Sequence, residues 1–243
     1  MKKIYLLTLA AAVLTNTLSA QDQEKSLSHF TKIVASPHIS VILQKGDKES
    51  IRLNYANVTA DKVNVKVTGN TLRIYLDHAR ITEKQERMGN QKQGIYHDAS
   101  VTAYISYRDI KSLEIRGEEE LSCEGEIKTT KLKLRAYGES EIRLGNINVR
   151  KFKASLYGRN DLKIRSGEAL HQTFRSFGEN KIDTHAMKSE TASTRVYGEG
   201  RISVFASEKI SISAFGEPEI KVSGSGHVAK GIVLGRVDIH SQH

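Results

Sequence analysis

A glycine recurs about every twenty residues through the second half of the chain. It stands at Gly117, Gly138, Gly158, Gly178, Gly198 and Gly216, at spacings of 21, 20, 20, 20 and 18 residues. Around each glycine the same local pattern returns. Alternating apolar residues follow it, as in Ile142 and Leu144, Leu162 and Ile164, or Ile220 and Val222. A second alternating run precedes it, as in Leu132 and Leu134, Phe152 and Ala154, or Ile210 and Ile212. Alternation with a period of two is the mark of a strand with one buried side. Each repeat therefore reads as two short strands joined at a glycine corner. An antiparallel sandwich also spaces short strands regularly, but it has no reason to keep one residue at one place in every unit. The repeat predicts an all-β chain whose residues 109–234 form a parallel β-helix, or β-solenoid, with coils of about 20 residues.

Stacking turns equivalent positions into columns. The residue before the glycine is Arg116, Tyr137, Tyr157, Phe177, Tyr197 and Phe215. Strand parity sets Tyr137 opposite Leu132, Leu134 and Ala136, so this aromatic ladder points outward. It has two readings: rings stacked to stabilise coil on coil, or a flat ligand-binding platform for the apolar faces of sugars. The residue after the glycine is Glu118, Glu139, Arg159, Glu179, Glu199 and Glu217. Like charges at strand spacing repel, so this column needs solvent, counter-ions or basic neighbours. Arg135, Arg175 and Arg195, three residues before their glycines, are the expected basic partners. Calcium is the alternative, but the Asp-rich nonapeptide of calcium solenoids is absent.

The rest of the chain divides simply. Lys2 and Lys3, the apolar run Ile4 to Leu14 and Leu18-Ser19-Ala20 read as a signal peptide over residues 1–20. Its removal lowers the formal net charge from +9 to +7 and leaves no integral membrane segment. An exported basic chain (periplasmic, surface-bound or secreted) meets little nucleic acid; its charge reads as a solvated basic face, with an anionic polysaccharide, lipopolysaccharide or a membrane surface as the alternative counterpart. Residues 21–108 form a smaller N-terminal β region. Val63 to Val67 and Leu72 to Leu76 flank Gly69-Asn70 as a hairpin. Residues 78–100, polar and charged, read as a long exposed loop of low order. Residues 235–243 read as a frayed tail, with His240 and His243 in it. The single cysteine, Cys123, excludes an intramolecular disulfide and reads as a small buried residue.

Several stretches together resemble a known family. They are Ile39-Ser40-Val41-Ile42-Leu43-Gln44-Lys45-Gly46-Asp47, the hairpin with Gly69-Asn70-Thr71-Leu72, the strand 101–107 leading into Leu113-Glu114-Ile115-Arg116-Gly117, and the glycine-centred repeats. In this order they resemble the "putative auto-transporter adhesin, head GIN domain" family over residues 30–234. The resemblance implies an all-β fold with β-helix character, an exported protein and an adhesin-like role. Where that family often reads Ser-Gly-Ser-Gly-acid, this chain has Ser223-Gly224-Ser225-Gly226-His227. There is no Gly-x-Ser-x-Gly, no His-Glu-x-x-His and no phosphate loop, so neither catalytic residues nor a cofactor or metal is expected. Three functions stay open: a non-enzymatic module for a glycan or surface protein, a carbohydrate-active β-helix enzyme using Arg159, Asp161, Glu179 and Asp183, or a structural envelope protein. An uncapped solenoid end would make a homo-oligomer.

Overall fold

The structure is a computed structural model that describes residues 24–89 and 91–242. The expected signal peptide lies outside the described residues. The chain forms a parallel β-solenoid preceded by a small β region, in one 18-stranded sheet with a separate two-stranded hairpin. Two stacks of strands build it. In the pre-glycine stack, Ser112–Gly117 pairs in parallel with the end of Glu120–Gly138, followed by the ends of Glu141–Gly158 and Asp161–Gly178. Met187–Tyr197, Lys209–Phe215 and His227–Leu234 continue it. In the post-glycine stack, the starts of the same three long strands are followed by Asn180–Thr184, Gly200–Phe205, Pro218–Ser223 and Asp238–Gln242. The long strands stay paired around a further short run, 126–129 against 146–149 and then 166–169.

The alternation sends Ile142, Leu144, Phe152, Ala154 and Leu156 inward, where each is at most 2% exposed. Phe152 and Phe174 meet edge to face at 6.0 Å. Burying each of the larger side chains, Ile142, Leu144, Phe152 and Leu156, contributes about 1.5–3 kcal/mol, and neighbouring coils share one continuous core.

Tyr137 and its equivalents face out, as parity requires. The glycine column is a steric necessity. Gly158 has φ +112°, and a Cβ there would lie 2.1 Å from the carbonyl oxygen of Gly138. That oxygen already accepts the Arg159 N–H at 2.9 Å, so it cannot turn away. The column has a seventh member, Gly235, packed against Gly216 in the same way.

The N-terminal strands enter the stack out of chain order. Lys32–Ala35 pairs on one side with Thr71–Leu76 and on the other with Ser112–Gly117. Ile39–Lys45 likewise lies between Ser100–Tyr107 and the start of Glu120–Gly138. The first coil of the chain is thus slotted between two later ones. Val63–Thr68 and Ser50–Ala56 then run antiparallel against this end and close it, which keeps a parallel edge from being presented there.

Two expectations need correction. Residues 78–100 are not a bare loop: Gln85–Met88 and Gln91–Gly94 form an antiparallel hairpin, and Ala79 and Ala99 are buried. The segment is tied down by Glu83, whose carboxylate accepts the Tyr96 N–H and bonds His38 Nε2 at 3.0 Å. The tail is also structured, because Asp238–Gln242 continues the post-glycine stack beside Pro218–Ser223. His240 lies in that strand, opposite Lys221; His243 lies outside the described residues.

Glu119 joins the N-terminal strands to the repeat. Its Oε1 accepts the His38 N–H at 2.6 Å, while Oε2 is buried and has no partner among the described residues. Burial pushes its carboxyl above the ordinary 4.5, against the lowering effect of His38. A carboxyl whose folded pKa is raised gives its stability fully below the unfolded value and loses it as pH rises through the folded one. Glu119→Gln keeps the acceptor and cannot ionise. Removing the buried charge should stabilise the protein at pH 7 by about 1 kcal/mol and flatten the fall in stability above pH 4.5. Urea midpoints at pH 4 and pH 7 check this; an unchanged midpoint at pH 7 contradicts it.

Candidate functional site

The aromatic column is a continuous stack. Tyr137 and Tyr157 lie 4.9 Å apart at 5°, Tyr157 and Phe177 4.8 Å at 5°, Phe177 and Tyr197 4.7 Å at 3°, and Tyr197 and Phe215 4.9 Å at 4°. The separation is the strand spacing, so equivalent rings in successive coils have no other arrangement open to them. The Arg116 guanidinium sits 4.7 Å over the outer face of Tyr137, and Leu234 stands in register beyond Phe215. Each ring face is therefore turned toward a neighbour in the column. The flat platform expected for sugar faces is not the geometry seen: the ladder offers ring edges and hydroxyls. All five residues are half-buried. The hydroxyls of Tyr137, Tyr157 and Tyr197 have no protein partner among the described residues, and Phe177 and Phe215 show that the stack does not need one.

Beside the ladder, on the same outward side, runs a strip of cations. Lys131 pairs in register with Lys151, Lys133 with Lys153, and Arg175 with Arg195. The expected pairing of the arginine column with the glutamate column does not occur. Arg135 reaches Glu114 at 3.5 Å, and Glu139 is held by Arg159. Arg175 and Arg195 hold no carboxylate among the described residues.

Of the acidic residues considered for catalysis, the two aspartates are engaged elsewhere. Asp161 lies between Arg143 at 3.0 Å and Lys181 at 3.4 Å, and Asp183 bonds His185 Nδ1 at 2.5 Å. Among the described residues, no three His, Cys, Asp or Glu side chains lie close enough to hold a metal ion. Cys123 is 1% exposed, 3.4 Å from the Tyr107 hydroxyl, and burial pushes its thiol pKa up.

Two features escaped the sequence reading. One is a buried polar ladder two residues after the glycine. Asn180 Oδ1 accepts the Asn160 N–H at 3.0 Å and its Nδ2–H at 2.8 Å, and Asn160 Oδ1 accepts the Ser140 N–H at 3.1 Å. These side chains satisfy the amides that each corner turns inward. Its sequence signal is Gly158-Arg159-Asn160 and Gly178-Glu179-Asn180. The other is an open groove of about 1400 Å³ across the coils, lined in part by Asn146, Asn148, Arg150, Lys188 and Phe205. Lys188 covers the Phe205 ring there at 4.1 Å.

Comparison with known proteins places this architecture. The profile of the family described as "Putative auto-transporter adhesin, head GIN domain" matches residues 29–226. No curated protein matches the sequence. Among solved structures, a putative adhesin from Bacteroides fragilis superposes with a TM-score of 0.71 at 18% identity, over 90% of this chain and 95% of that one. A putative adhesin from Parabacteroides distasonis gives 0.66 at 14% identity, over 90% and 95%. A putative lipid binding protein from the same organism gives 0.61 at 16%, over 91% and 96%. Identities this low establish a shared fold.

Proposed function

The chain belongs to the head GIN adhesin family, and from that premise we propose that it is an exported, non-enzymatic, adhesin-like module that binds a glycan on its ladder face. One observation carries this reading. Three tyrosine hydroxyls, on Tyr137, Tyr157 and Tyr197, stand in a line on a rigid stack with no protein partner among the described residues. A hydroxyl is both donor and acceptor, which suits the hydroxyls of a sugar chain. Rigid aromatic groups also lose little conformational entropy when they bind. Phe177 and Phe215 add apolar ring edges between and beyond them.

The test is a glycan array probed with the protein and with the triple variant Tyr137→Phe, Tyr157→Phe, Tyr197→Phe. The variant keeps every ring stacked, so its stability should stay within about 0.5 kcal/mol of the parent. The expected result is binding to a subset of glycans, weakened about tenfold or more in the variant, as loss of hydrogen bonds to a ligand demands. Equal binding by both proteins, or none by either, overturns the reading.

A further inference from the structure

We propose that the cation strip beside the ladder is a site for a linear polyanionic glycan, with Lys131, Lys133, Arg135, Lys153 and Arg175 as its anion-binding groups. The proposal rests on the reading of this face as a binding surface and names the chemistry of its ligand.

Like charges directly opposite one another in a sheet are destabilising, yet the register sets Lys131 against Lys151, Lys133 against Lys153 and Arg175 against Arg195. Of the five named groups, only Arg135 has a carboxylate within 4.0 Å among the described residues, and that carboxylate, Glu114, is shared with Arg116. The strip repels itself: Arg175 first, then burial, then Lys131, Lys133 and Arg135 hold the Lys153 ammonium below its ordinary range.

The post-glycine face is built differently. There Asp161 is shared by Arg143 and Lys181, and Glu219 by Arg201 and Lys221. Four cations of that face, Arg143, Lys181, Arg201 and Lys221, hold carboxylates within the protein, whereas among the described residues Arg135 alone does so in the strip, which leaves positive charge that an external anion would neutralise.

The ligand's form follows from the strip's. Each of four successive coils contributes at least one cation to the strip, Lys133, Lys153, Arg175 and Arg195 in turn, which matches a chain carrying a charge on successive units. Lys133 and Lys153 act as point charges, while the Arg175 fork takes two oxygens of one sulfate or carboxylate. A lipid surface fits less well. The neighbours Thr173 and Ser193 are polar, and the exposed apolar Ile232 and Leu234 lie three strands beyond Arg175. Single-stranded nucleic acid is bound by stacking its bases on open aromatic faces, and here the ring faces are turned toward one another.

Heparin, a sulfated glycan, is the probe. Its binding to the purified protein at about 0.15 M salt is compared with that of Lys133→Gln, Lys153→Gln, Arg175→Gln. A second variant, Lys163→Gln, Lys181→Gln, Lys221→Gln, removes equal charge from the post-glycine face. The strip variant should bind about 30-fold more weakly with a shallower salt dependence, and the second should stay within about threefold. Equal losses in the two variants, no heparin binding by the parent, or tighter binding to phosphatidylglycerol vesicles or single-stranded DNA than to heparin would each overturn the proposal. If neutral array glycans bind through the tyrosine hydroxyls while heparin does not bind, the anionic site fails and the ladder-face reading stands.

Discussion

Gly158→Ala should prevent the repeat from closing. The new Cβ would sit 2.1 Å from the Gly138 carbonyl oxygen, at a residue with φ +112°. Neither can relax alone, because the oxygen is held by the Arg159 N–H and the corner is locked into the coils on both sides. The expected loss is about 4 kcal/mol or more, in the range reached only by a clash or strain in a fixed structure. Two other glycines separate the causes. Gly69 has φ +55° but open space around it, so its alanine variant should lose only about 1–2 kcal/mol, the cost of the left-handed backbone. Gly125 has open space and no positive φ, so Gly125→Ala should stay within about 0.5 kcal/mol of the parent. Urea midpoints of the three variants give the ranking. A Gly158→Ala protein as stable as Gly125→Ala would mean that the corners are not packed as described.

The polar ladder carries the second large effect. Asn160→Ala leaves the Ser140 N–H without its acceptor. It also removes the donors to the buried Asn180 Oδ1 and to the half-buried Tyr157 carbonyl. Unsatisfied buried groups cost about 1–3 kcal/mol each, so a total near 3 kcal/mol is expected. Asn160→Asp tests the direction of the bonds. Its carboxylate would face Asn180 Oδ1, acceptor against acceptor, in a site 1% exposed. Both burial and that contact raise the folded pKa, so this variant should recover stability as pH falls through the folded value. Equal stability of Asn160→Asp and the parent at neutral pH would show that the side chain is not bonded as described.

The architecture was legible because the glycine corner tolerates one residue type. Where the corner's neighbours changed, the signal faded: Gly235 sits between Leu234 and Arg236, not between an aromatic residue and a glutamate, and was missed. The polar ladder was hidden for the same reason, since the column reads Glu119, Ser140, Asn160, Asn180, Gly200 and Pro218. Slotting Lys32–Ala35 between two later strands leaves no mark on periodicity, which reports which side of a strand is buried but not its neighbour. The ladder was legible as a column. Its consequence, rings stacked face to face, needed only the strand spacing. The cation strip needed the register, because Lys153 and Arg175 lie in different coils and meet only when those coils stack.

We propose the pre-glycine face, with its tyrosine hydroxyls and cations, as the binding surface. Lysine acetylation rates measured with and without a bound glycan test it directly. Binding there should slow modification of Lys131, Lys133, Lys151 and Lys153 and leave Lys163, Lys181 and Lys221 unchanged. Protection of the second set, or of neither set under saturating ligand, would contradict the assignment of that face.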